Sequence, residues 1–129
     1  MPKLTRYFLR ASLLYMLLGF TVGSLLLAHK GFPFAPWLWR LLPIHVESML
    51  IGWMSQFALG VAFWILPRLG ESKPRGDEIF AWLALFCLNL GIVLTWVLSQ
   101  NLGRFLESFA VFLFIWGNWR RLYPPRQKR

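Results

Sequence analysis

The chain has 129 residues, of which 57% are hydrophobic, 18% aromatic and only 15% charged. Its mean hydropathy is +0.53. A soluble domain of this size has too little interior to hide so much apolar surface, and apolar blocks separated by short charged clusters are the composition of a polytopic membrane protein. The net charge of +9 does not imply nucleic-acid binding, because the basic residues are scattered over loop ends and a short tail with no folded soluble module to present them.

In chain order, Lys3, Arg6 and Arg10 resemble the charged start of a signal peptide. The apolar run from Ala11 to Ala28 is longer than a signal core, and no small-x-small cleavage site follows it, so it reads as a retained helix. Four apolar stretches are expected to form helices: about Tyr7 to Ala28, Leu42 to Leu66, Ile79 to Ser99 and Leu102 to Trp119. Each has roughly the 17–25 residues that cross a ~30 Å hydrocarbon core. Helices are required because an open sheet would leave backbone groups unpaired in lipid. The expected fold is therefore all-α, a single transmembrane four-helix bundle over residues 1–129.

Breaks separate these stretches at Lys30 to Pro36, at Pro67 to Gly76, at Gln100-Asn101 and at Pro124-Pro125. Asp77 is placed to cap the third helix, with Glu78 in its first turn. One side gathers Lys3, Arg6, Arg10, Arg68, Lys73, Arg75, Arg120, Arg121, Arg126, Lys128 and Arg129; the other has Lys30, Arg40 and Arg104. Positive charge favours the cytoplasm, which puts both termini there and predicts a multi-pass protein of the plasma (inner) membrane. Trp37, Trp39 and Trp96 then fall near the outer interface, and Trp64, Trp82, Trp116 and Trp119 near the inner one. Gly19 and Gly23, four apart on the first helix, permit close helix contact, more suited to internal packing than to dimerisation. The single cysteine, Cys87, lies in an apolar run with nothing nearby to activate it.

Polar residues are costly inside a membrane helix and usually face protein or a cavity. At 100° per residue, His45, Ser48, Met49, Gly52, Gln56, Gly60 and Phe63 share one face of the second helix. Glu47 points elsewhere, near an end that water can reach. His45 is open to two readings, a hydrogen-bonded structural histidine or an axial ligand to haem iron. Gly52 would let a flat porphyrin approach the backbone, and would serve a helix–helix contact equally well. Arg104 and Glu107, three apart, can pair; Asn89 and Asn118 are expected to bond to a neighbouring helix.

The run Arg40-Leu41-Leu42-Pro43-Ile44-His45, then Gly52-Trp53, then Gly60-Val61-Ala62-Phe63-Trp64-Ile65-Leu66-Pro67-Arg68 resembles helix two of the haem–copper oxidase subunit I superfamily, which includes cytochrome c oxidases and nitric oxide reductases. The resemblance covers most of this chain but about the first third of a full subunit I. It implies that His45 is an axial ligand of a low-spin haem b near the outer face. It also implies that Gly52 makes room for the ring and that Arg40 or Arg104 binds the propionates. The family's remaining haem and copper ligands lie on later helices with no counterpart in these residues. Reduction of oxygen or nitric oxide by this sequence alone is therefore not expected. A second axial ligand would come from a partner chain, a second copy of His45, Met49 of a partner, or His29. The implied role is electron transfer within a homo-oligomer or beside other respiratory membrane subunits. The competing readings are a haem-free structural or assembly subunit, and a small transporter with Glu47, Gln56 and Asn89 lining a path.

Overall fold

A computed structural model describes residues 1–69, 75 and 77–123. Among these there are four long helices and no strand. Helix α1 is Lys3–Gly31. Helix α2 is the continuous rod Pro36–Ile65. Helix α3 is Ile79–Val97 and α4 is Gln100–Leu122. The expected tail from Pro124 to Arg129 and the loop residues Lys73, Pro74 and Gly76 lie outside the described residues.

The apolar stretches located the helices, but α1, α2 and α4 run past one or both of their expected ends. An apolar window marks the lipid-compatible part of a helix, whereas backbone hydrogen bonds carry the helix beyond it. The N-cap of α3 is Glu78, one residue later than the Asp77 expected there. Helices α1, α2 and α3 are long and apolar enough to cross a bilayer. Helix α4 has 23 residues but carries Arg104, Glu107, Arg120 and Arg121, and falls short in apolarity.

Helix α2 is not uniform. It opens as a tight 3-10 segment, Pro36–Leu41, continues as α-helix through Leu42–Glu47, widens into a π-helix over Ser48–Ser55, and returns to α-helix over Gln56–Ile65. Its buried positions Ser48, Gly52, Gln56 and Gly60 are four residues apart. In a pure α-helix such a stripe advances ~40° at each step, because four residues overshoot the 3.6 of one turn. The wider π turns drift the opposite way, so the stripe stays on one side of the rod.

The molecule is built from two hairpins. In the first, α1 and α2 approach closely: a Cβ on Gly19 would lie 2.5 Å from Met49 Sδ, and one on Gly60 would lie 2.6 Å from Phe8 Cβ. Gly19 thus packs internally, as its spacing with Gly23 suggested. In the second, α3 and α4 cross backbone to backbone, a Cβ on Gly103 meeting the Gly91 carbonyl oxygen at 2.7 Å. Longer side chains join the hairpins. Leu4, Phe8, Phe63, Ala81, Ala84 and Phe114 form the buried core near the chain termini, where Phe8 and Phe114 meet edge to face.

The same end holds a buried cation. Arg121 was expected to contribute cytoplasmic charge, but its side chain is fully enclosed. It donates to the carbonyl oxygens of Phe63 at 2.9 Å, Leu66 at 2.7 Å and Pro67 at 3.1 Å. Helix α2 ends at Ile65, just before Pro67, which has no N–H to continue the ladder, so its last carbonyls need outside donors. The planar guanidinium supplies several in one group and sits over the Phe63 ring, 5.0 Å from its centre. Asn118 steers it by accepting from Nη1 at 2.7 Å while donating to Phe114 O of its own helix. Asn89 likewise bonds to Leu85 O within α3. Neither asparagine bridges helices as expected; in each case the side-chain amide donates to the i−4 carbonyl of its own helix.

Replacing Arg121 with Met removes these bonds and leaves buried carbonyls unpaired, which is expected to cost about 2–4 kcal/mol. Thermal unfolding in detergent measures it. Arg121→Lys should recover only part, because a point ammonium lacks the fork that reaches several carbonyls at once.

Candidate functional site

The sequence singled out His45, Met49, Gly52, Arg40 and Arg104. The first three lie along the side of α2 that faces α1. The His45 ring lies against Gly23, where a Cβ would stand 2.6 Å from its Cε1. Its Nδ1 is 2.8 Å from the carbonyl oxygen of Gly19. A carbonyl can only accept, so Nδ1 carries the proton and the Nε2 lone pair is left over. Among the described residues no group bonds to Nε2, and the ring is half-buried. This is the tautomer a metal-bound histidine adopts, with the far nitrogen anchored to a backbone carbonyl.

Gly52 serves a different purpose from the one the resemblance implies. The Tyr15 ring is seated on it: an added Cβ would lie 2.5 Å from Tyr15 Cγ and 2.7 Å from Cδ1. The Met49 thioether occupies the groove at Gly19 in the same way. No porphyrin can approach the backbone at Gly52 while Tyr15 is there. Nε2 thus keeps a lone pair that iron could use, but the glycine cradle is filled by Tyr15 and does not fit a haem. No group of three or more His, Cys, Asp or Glu able to hold a metal ion occurs among the described residues.

Arg104 is committed elsewhere. Its Nη2 is 2.6 Å from Glu47 Oε2, and its Nη1 is 3.1 Å from Glu107 Oε2. Nη1 also donates to Glu47 Oε1 at 3.1 Å. The Glu107 partner was foreseen from the spacing. Glu47 was not, and the expectation that water reaches it is overturned: its side chain is 1% exposed, against 53% for Arg104. The missing signal is tertiary, since Glu47 turns toward α4 and nothing in the local pattern of α2 names that neighbour. Thr95 completes the cluster by donating to Glu107 Oε1 at 3.2 Å. Arg40 stays exposed at the end of the 3-10 segment.

Two other residues bear on the site. Gln56 is buried with neither side-chain atom bonded within the described residues, one turn beyond Gly52. His29 is buried with its Nδ1 accepting the backbone N–H groups of Phe34 at 3.2 Å and Ala35 at 3.1 Å. That use, as a loop anchor, differs from the axial ligation considered for it.

Two outcomes follow from these contacts. Gly52→Ala should destabilise the hairpin by about 1–3 kcal/mol through overpacking. Adding Tyr15→Leu should return part of that loss, and a double-mutant cycle on thermal unfolding measures the coupling. Arg104→Met should cost more than Glu107→Gln, because it leaves two carboxylates facing each other without their cation. Unfolding midpoints of the two variants rank them directly.

No protein-family model, curated protein or solved structure matches the chain.

Proposed function

We propose that this chain is a membrane-spanning electron-transfer subunit that supplies His45 as one axial ligand of a haem b completed by a partner chain. The observation that carries this reading is the Nδ1–H of His45 bonded to Gly19 O, which leaves Nε2 with an unshared lone pair. The haem would supply one-electron redox chemistry. His45 would hold its iron, and Arg40, exposed in the 3-10 segment that precedes it, would be a cation free to meet a propionate. Arg104 stays with its two carboxylates, and Gly52 and Met49 keep their packing roles. A further ligand would come from outside this chain, either from a second copy or from another respiratory membrane subunit.

In this reading all four helices cross the plasma (inner) membrane with both termini in the cytoplasm. The excess of Lys and Arg on the terminal side supports the orientation. The polarity that sets α4 apart is largely matched inside the bundle, where Arg104 pairs with Glu47 and Glu107 and Arg121 bonds to carbonyls of α2.

A second reading is a haem-free assembly subunit. The seating of Tyr15 on Gly52 favours it, because packing alone then accounts for that glycine. A reduced-minus-oxidised visible spectrum separates the two. Sharp low-spin bands in protein from haem-replete cells, lost in a folded His45→Ala variant, are the expected result. A colourless wild-type preparation that is folded and associated with its membrane partners would sink the haem reading and leave the assembly role.

A further inference from the structure

In the loop between α1 and α2, Ala35 packs against the cluster of Val22, Leu26 and Leu38, and one side chain, His29, takes two of the loop's backbone donors. Residues 32–36 include Pro33 and Pro36, which have no N–H, so Phe32, Phe34 and Ala35 are the backbone donors there. Phe32 N–H caps α1 by bonding to Ala28 O at 2.9 Å. The other two both point at Nδ1 of His29, at 3.2 and 3.1 Å. A backbone N–H can only donate, so Nδ1 must be unprotonated and the ring neutral. The ring is 5% exposed and is flanked edge to face by Phe34 and Trp39.

Adding a proton to Nδ1 replaces the shared acceptor with a third donor. Both bonds are lost together, and the two amides then face a cation. The elements packed on the ring are α1, the loop and the 3-10 segment Pro36–Leu41. Their charged side chains near this end are Lys30 and Arg40, both exposed and both positive. The nearest other titratable group on α2 is His45, already bonded to Gly19. No Asp or Glu occurs before Glu47, so no carboxylate from these elements is present to compensate the imidazolium.

We propose that His29 is a proton-operated latch, which holds the α1–α2 loop closed when neutral and releases Phe34 and Ala35 when protonated. Histidine is the side chain whose charge changes in the physiological pH range, which suits it to this role. Release frees a segment carrying the exposed rings of Phe32, Phe34, Trp37 and Trp39 at the end of the bundle opposite the termini. The latch does not depend on haem, since it involves neither His45 nor Arg40 directly.

Amide hydrogen exchange on the full chain in detergent micelles tests it, at about pH 8 and about pH 5, the ends of the range over which histidine switches operate. After correction for intrinsic rates, protection of the Phe34 and Ala35 amides is expected to fall about tenfold or more at the lower pH, as loss of two hydrogen bonds requires. The Phe32 amide, bonded to Ala28 O of α1, should hold. His29→Phe, which has no acceptor, should expose both loop amides at either pH. Unchanged wild-type protection at about pH 5, or full protection in a folded His29→Phe variant, would overturn the proposal. So would a ¹⁵N spectrum showing the His29 Nδ1 protonated at about pH 8, a readout that needs no mutant.

Discussion

A guanidinium at each end of α4 reaches across to α2, and the relation between the two hairpins depends on that pair of clasps. Arg104 meets Glu47 near one end and Arg121 meets the closing carbonyls of α2 near the other. The two arginines are 17 positions apart in the sequence, which a helix spans in about 26 Å, close to the thickness of a bilayer core. Each hairpin closes on itself through close contacts at glycines. The hairpins meet each other through long side chains, and apolar contact discriminates poorly between helices when the surroundings are as apolar as the side chains. Directional bonds at two separated points fix register and rotation together.

The helices were legible because lipid-compatible stretches and breaks are local properties. The run from Leu42 to Leu66 and the breaks at Pro36 and Pro67 needed no tertiary information. The partners of polar residues were not legible in the same way. Glu107 could be assigned to Arg104 because both sit on one helix three residues apart. Glu47 could not, since its partner lies 57 residues later, and neither could Arg121, whose charge looked topological until its burial was seen. The π stretch was also invisible: Ser48 to Ser55 has the composition of an ordinary apolar helix, and a 100° projection still gathers its buried residues on one face.

The candidate site illustrates a competition that sequence cannot resolve. A glycine on the face of a helix admits either a flat cofactor or a ring from the neighbouring helix, and both uses leave the same residue at the same spacing. At Gly52 the neighbour is Tyr15. At His45 the contest is not exclusive, because an imidazole has two nitrogens. One anchors the ring to Gly19 O, and the other keeps its lone pair. A structural histidine and a ligand histidine are thus compatible here, while a structural glycine and a cradle glycine are not.

The wide turns of α2 also limit how this sequence can change in length. Between Ser48 and Ser55 the rod holds more residues per turn than an α-helix needs. Deleting one residue there could be absorbed by tightening those turns to α geometry, keeping Gly60 and Phe63 seated against their neighbours. The same deletion in Gln56–Ile65 has no such slack, and would turn everything after it by about 100°, swinging the carbonyls of Phe63 and Leu66 away from Arg121. Tolerance to insertion and deletion along this one helix is therefore uneven, with a stretch in its middle that can exchange length for pitch.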